Sequence, residues 1–203
     1  MGFENKRDQI LEAAEDIFAE KGYRSATLNE IAGRVNIKTP GLYYYFKSKK
    51  DIYNYLLTDM YFRLGERVLE PVKGASDLRE KIRLLVVLLM DFWGEHPRFP
   101  RIIAREALTR SRFIDEEFIP NFLVPMFEEL VGALGEGKME AHGFRDVDMQ
   151  LLVYNVLGMT MFYFISNRMF STLAGEDSLS PARVAKFKQE VLDLVFLGIE
   201  VGS

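Results

Sequence analysis

Cysteine is absent from this chain of 203 residues, so neither a disulfide framework nor thiolate chemistry is open to it. Histidine is nearly absent. His96 and His142 are far apart in loop-like stretches, which argues against a histidine-based metal or acid–base site. The opening stretch MGFENKRDQ lacks the apolar run of a secretory signal. The longest apolar run, LLVYNVLGMTMFYFI from Leu151 to Ile165, falls short of the roughly 20 residues that span a bilayer and contains Asn155. The expectation is a cytoplasmic protein with no membrane partner. No fixed-period repeat, low-complexity tract or strand-like alternation occurs.

Catalytic signatures are missing too. GALGEGKM, Gly132 to Met139, nearly spells a phosphate-binding G-x-x-x-x-G-K-[ST] loop. Met139 cannot do the Mg²⁺ work of Ser or Thr, and the segment ends a helical pattern where the motif must follow a strand and open one. Gly135 and Gly137 read instead as a helix stop and turn, and Glu116-Glu117 as first-turn carboxylates. With no nucleophile–base pair, the expectation is no enzyme, no metal and no cofactor.

What is present is apolar bulk and unevenly placed charge. Hydrophobic residues make up 48% of the chain, enough for one substantial core or two small ones sharing a helix. The formal charge of −4 hides a contrast. Met1–Glu20 holds two Lys/Arg against six Asp/Glu, whereas Lys21–Lys50 holds seven against one, and the remainder is acidic. A short basic stretch in an acidic chain is the footprint of a localised polyanion contact.

That stretch reads as three helices. Ile10, Ala13, Ala14, Ile17 and Phe18 follow helical spacing, with Gly22 as the stop. TLNE at Thr27–Glu30 is a capping box opening a second helix through about Val35. Asn36 suits the left-handed conformation of a tight turn, and Thr39-Pro40 reads as an N-cap followed by proline at the first helical position of a third helix, to about Phe46. SKKD at Ser48–Asp51 caps a longer helix that Pro71 should stop. Further helices are expected at about 77–95, 98–110, 115–135, 147–173 and 181–200, which makes the fold all-α.

Two short helices joined by a tight turn are the form of a helix-turn-helix. Leu42, Tyr45 and Phe46 stand at i, i+3 and i+4 and should pack inward, leaving Tyr43 and Tyr44 outside. A phenol offers an apolar ring to a sugar or thymine methyl and a hydroxyl to phosphate, and Gly41 permits close backbone approach. Lys49, in the first turn of a helix, opposes the macrodipole unless a phosphate sits beside it. TLNEIAGRVNIKTPGLYYYFKSKKDIYNYLL resembles the DNA-binding domain of the tetracycline-repressor (TetR) family in its Thr-capped helix, Ile-Ala pair and Leu-Tyr-x-x-Phe-x-x-Lys run. The usual Ala-Gly-Val turn reads Val35-Asn36-Ile37, and Pro40-Gly41 replaces the commoner Gly-Thr or Gly-Ala pair. The resemblance implies a helix-turn-helix domain over residues 1–50, with double-stranded operator DNA as partner. Thr27, Lys38, Thr39, Pro40, Gly41, Tyr43, Tyr44 and Lys49 are its expected contacts.

Residues 51–203 are expected to form a helical bundle for effector binding and dimerisation. Their soft, bulky side chains suit adaptable apolar pockets as well as core packing. The resemblance implies a small-molecule inducer, which the composition makes hydrophobic. Candidate contacts are Trp93, Phe99, Arg105, Glu106, Phe122, Met126, Tyr154, Met161 and Phe162, the polar ones also readable as salt-bridge or cap residues. The last two helices are apolar on more than one face, so a homodimer through them is expected, with Phe187 and Val191 in the interface. The resulting reading is a ligand-responsive repressor. An activator of the same fold is the alternative, and a helical binding module without DNA function or an apolar-substrate enzyme the rival.

Overall fold

The computed structural model of the chain describes residues 3–109, 114–135 and 143–200; Phe113, Gly137, Met139 and His142 lie outside them. Eleven α-helices run along these residues: α1 (Phe3–Ser25), α2 (Leu28–Arg34), α3 (Thr39–Leu42), α4 (Lys49–Leu64), α5 (Glu70–Gly74), α6 (Leu78–Glu95), α7 (Arg98–Ala107), α8 (Val124–Leu134), α9 (Met149–Ile165), α10 (Asn167–Ala174) and α11 (Pro181–Ile199). Two π-helical stretches, Gly65–Leu69 and Ile114–Leu123, lead into α5 and α8. No strand forms among the described residues; Phe144 and Glu200 make an isolated antiparallel bridge.

The chain divides into two compact units. The first joins Met1–Phe62 to Arg101–Phe122; the second joins Arg63–Pro100 to Leu123–Ser203. The physical reason lies in polar ties that recruit the mid-chain segment to the N-terminal helices. Glu106 accepts the Tyr23 N–H at 2.7 Å and Lys50 pairs with Glu117 at 2.6 Å.

In the first unit, Ile10, Ala13, Ala14, Ile17 and Phe18 of α1 are all buried, as are Ile31, Ala32, Leu42, Phe46, Ile52 and Tyr53; α1 packs on α2, and Phe18 meets Tyr53 edge-on at 4.7 Å. Gly22 breaks α1 with φ 76°. A side chain there would be strained, and its Cβ would meet the Arg105 Cδ at 3.1 Å. In the second unit α6 buries Leu78, Ile82, Leu85, Val86, Leu89, Met90, Phe92 and Trp93, and packs with α8, α9 and α11. The Trp93 indole N–H finds its acceptor in the buried Thr160 hydroxyl at 3.3 Å, which in turn donates to the Val156 carbonyl.

Three helix expectations change. Pro71 does not stop the fourth helix: the π turn shifts the register, the Glu70 N–H donating to Gly65 C=O, and proline then sits in the first turn of α5, where it needs no donor. The segment from 115 is π-helical with Pro120 inside it before α8 begins. The helix expected over 147–173 is bent by 69° between α9 and α10. At that bend the Ser166 hydroxyl donates to the Phe162 carbonyl, a back-bond that bends helices. No single helix among the described residues is long and apolar enough to cross a membrane.

Candidate nucleic-acid interface

The turn between α2 and α3 is built as its residues dictate. Thr27 caps α2 by accepting the Glu30 N–H at 3.2 Å, and the Glu30 carboxylate accepts the Thr27 N–H at 3.0 Å. Glu30 is also paired with Lys21. The hydrogen bonds from Lys21 and Thr27 hold its carboxyl below the usual range. Asn36, at φ 54°, is the one non-glycine residue with positive φ among those described, and the Ile37 N–H closes onto Ala32 C=O at 3.0 Å. The chain then enters α3 with Pro40 in its first turn.

α3 proper is one short turn, Thr39–Leu42. It is prolonged by bonds from the Tyr45 and Phe46 N–H groups to Leu42 C=O, both 2.9 Å, where a helix to Phe46 was expected. Leu42 and Phe46 are buried and Tyr45 half-buried, whereas Tyr43 is 56% and Tyr44 76% exposed. Thr27, Lys38, Pro40 and Gly41 are exposed beside them. A Cβ on Gly41 would meet only Ile37, at 3.9 Å, so nothing within the chain occupies that side of the backbone. Thr39 is half-buried, and its hydroxyl donates to the Asn29 side-chain oxygen at 2.5 Å. Asn29 stands exposed on α2, a neighbour of the candidate contacts that no motif reading singled out.

The Lys49 ammonium is held within the chain. It donates to the carbonyls of Tyr23 at 2.7 Å, Ala26 at 2.8 Å and Arg24 at 3.3 Å, and stands 4.6 Å from the Tyr23 ring centre. Burial draws its pKa below the ordinary lysine value, with the Glu106 charge opposing. The first turn of α4 is capped by Ser48, which accepts the Asp51 N–H at 3.0 Å, while Asp51 accepts the Lys47 N–H at 2.8 Å.

The residues expected to hold an effector are divided between the two units. Arg105, Glu106 and Phe122 belong to the first unit; Trp93, Phe99, Met126, Tyr154, Met161 and Phe162 belong to the second. Trp93, Phe99 and Met126 are core, with Trp93 stacked on Phe99 at 6.0 Å. Met161 and Phe122 are half-buried, and Phe122 stacks on Phe118 at 6.2 Å. Tyr154 and Phe162 are 68% and 54% exposed on α9. Glu106 is buried, and its carboxylate accepts the Tyr23 N–H. Arg105 is exposed, with its stem against Gly22.

Two cavities of the second unit lie elsewhere. One, of about 350 Å³, is lined by Tyr163, Phe170, Leu173, Phe187, Arg183 and Lys186 among others. The other, of about 520 Å³, is lined by residues of α9 and α11 including Leu151, Asn155, Met159 and Leu194. Val191, expected at the interface, forms with Val195 and Ile199 the buried stripe of α11. Leu194 and Leu197, on the opposite stripe, are exposed. Phe187 is half-buried and stacks on Tyr163 within the same chain, 4.1 Å between ring centres.

Residues 10–56 match the model of "Bacterial regulatory proteins, tetR family", and residues 79–195, more than half the chain, match "Tetracyclin repressor-like, C-terminal domain". The chain belongs to the TetR family. It is thereby a DNA-binding transcriptional regulator with an N-terminal helix-turn-helix and a C-terminal helical domain. The transcriptional repressor NicS of Pseudomonas putida is 24% identical over 95% of this chain and 92% of its own length. The transcriptional activator FasR of Mycolicibacterium smegmatis is 33% identical over 89 residues, 44% of this chain and 41% of that protein. The ketosteroid transcriptional regulator KstR2 of Mycobacterium tuberculosis shares the fold, with TM-score 0.77 and 23% identity over 100% of this chain and 97% of that one. These relatives are transcriptional regulators. Repressor and activator both occur among them, so TetR-family membership alone leaves the sign of regulation open.

Proposed function

We propose that the protein is a homodimeric cytoplasmic repressor that leaves a palindromic operator when a small hydrophobic effector occupies its second unit. The observation that carries the DNA reading is the exposed Tyr43-Tyr44 pair beside Pro40-Gly41, on a helix held by the Thr27 cap and the Asn36 turn. Lys38, Thr39 and Thr27 adjoin it as polar contacts to sugar and phosphate. Lys49 serves the interface through the position of α4 rather than through its ammonium, because three carbonyls already hold that group.

The homodimer is supported by an apolar outer face on α9 and α11, where Leu151, Tyr154, Leu194 and Leu197 are each at least 60% exposed, a patch of the kind that marks association. An effector in the second unit is supported by its aromatic and methionine content. The 350 Å³ cavity is in the size range of small-molecule sites, and its floor of stacked Tyr163, Phe170 and Phe187 suits an apolar ligand.

The test is selection of duplexes from a random library by the purified chain, followed by binding measurements across salt concentrations. The reading requires enrichment of a two-fold symmetric sequence and a linear fall of log affinity with log salt. Release of that duplex by apolar compounds, with an equal loss of compound affinity for the DNA-bound form, tests the effector. Derepression on deleting the gene separates repressor from activator.

A further inference from the structure

Glu106 is a buried carboxylate, 2% exposed, far in sequence from the reading head. The break of α1 at Gly22 leaves the next residue, Tyr23, as the start of a separate turn that closes with the Ala26 N–H on Gly22 C=O at 3.2 Å. A peptide N–H exposed by such a break needs an acceptor. The Glu106 Oε1 supplies it at 2.7 Å. On its other side Tyr23 accepts from the Lys49 ammonium through its carbonyl, also at 2.7 Å. The stem of Arg105 covers Gly22, so two consecutive residues of α7 hold the break. Glu106, Tyr23, Lys49 and the start of α4 thus form one polar chain within the first unit.

Of α7, ten residues long, the stretch from Arg101 belongs to the first unit, and its last turn ends on the break of α1. A carboxylate at its last turn carries any displacement of that helix to the junction of α1 and α2, because a charge-assisted bond is short, directional and costly to leave unmade once buried.

We propose that Glu106 is a positioning residue for the reading head, its carboxylate latching the Tyr23 peptide so that α7 sets where α2, α3 and the start of α4 stand. The inference rests on the reading of the chain as a DNA-binding regulator and names a contact within the first unit that holds its reading head. Loss of the latch frees the α1–α2 junction without touching any DNA-facing side chain. The effect on affinity is therefore indirect and sensitive to the geometry of the acceptor.

Three variants test it: Glu106→Ala removes the acceptor, Glu106→Asp keeps the charge but withdraws it by one methylene, and Glu106→Gln keeps an oxygen at full reach. Hydrogen exchange at the Tyr23 amide and affinity for a duplex enriched by the wild-type chain are measured for each. Glu106→Ala should raise Tyr23 exchange at least tenfold and weaken the duplex roughly ten- to hundredfold. Glu106→Gln should restore both to within about threefold. Glu106→Asp should resemble Glu106→Ala and gives the same reading if the alanine variant does not fold. Unchanged exchange in Glu106→Asp overturns the latch, as does raised exchange with undiminished affinity, or a Glu106→Gln variant no better than alanine. A wild-type chain that enriches no duplex sinks the DNA reading instead, and exchange with its rescue by Gln then decides the latch by itself.

Discussion

The Lys49 ammonium donates to the Tyr23 carbonyl at 2.7 Å while standing 4.6 Å from the centre of that residue's own ring. One side chain thereby ties the start of α4 to the end of α1, satisfying carbonyls that the break at Gly22 leaves without helical partners. The lysine is half-buried, so its bonds stabilise less than they would in a dry interior.

Lys49→Ala should cost about 1–2 kcal/mol of stability, the range for losing hydrogen bonds to a partly solvated charge. The slope of log affinity against log salt should stay unchanged, since no phosphate loses a cation. Denaturant titration and binding at several salt concentrations check both. A slope flattened by about one unit would put the ammonium on phosphate after all.

Much of the reading head was legible in the sequence because its devices are local. A Thr-x-x-Glu pair and a turn Asn each act within four residues, and both take their expected roles at Thr27, Glu30 and Asn36. The inward Leu42 and Phe46 and outward Tyr43 and Tyr44 follow from spacing alone. The mid-chain features were not legible, since their causes are non-local. Glu106 finds its partner in a backbone N–H 83 residues away, which leaves no signature of residue type. Pro71 was read as a stop because a π turn that re-registers the helix has no periodic mark. On α11, apolar residues on both sides do not tell which side faces inward. The structure gives the inner side to Val191, Val195 and Ile199.

Tyr43 and Tyr44 separate two kinds of DNA contact. Replacing Tyr44, the more exposed, with Phe removes one hydroxyl and should weaken an enriched duplex by a few-fold if that hydroxyl meets phosphate, evenly across sequences. Tyr43→Ala also removes a ring and should cost about 1–3 kcal/mol if the ring packs on a base, with altered preference at one position. Competition binding against single-base variants of the duplex distinguishes them. Wild-type affinity in both variants would move the interface off α3.

The two stripes of α11 should respond oppositely to charge. Leu194→Glu with Leu197→Glu, on the exposed stripe, should leave each chain folded and give monomer in sedimentation at micromolar concentration. Val191→Glu places a carboxylate in the core and should destabilise the fold by several kcal/mol whatever the oligomeric state. A dimer that survives the double leucine change would place the interface elsewhere.

Tyr53 makes the stability of the first unit sensitive to alkali. Its phenol is fully buried, and burial first, then the charge and hydrogen bonding of Glu106, hold its pKa well above the ordinary tyrosine value. In the unfolded chain the same group ionises near 10, so above that pH the unfolded state binds fewer protons than the folded one. Stability must then fall as pH rises, by up to about 1.4 kcal/mol per pH unit for this one group. Tyr23, raised mainly by burial with Lys50 opposing, adds in the same direction. Lys49, lowered by burial, works against both, because its folded form releases its proton first. The comparison that isolates Tyr53 is therefore wild type against Tyr53→Phe, in which the other two groups are common. The variant should lose roughly 1 kcal/mol at pH 7, where Glu106 is deprived of a donor, and should show a shallower fall between pH 9 and 11. Urea midpoints across that range measure both, and parallel curves would mean that the buried phenol titrates at its ordinary value.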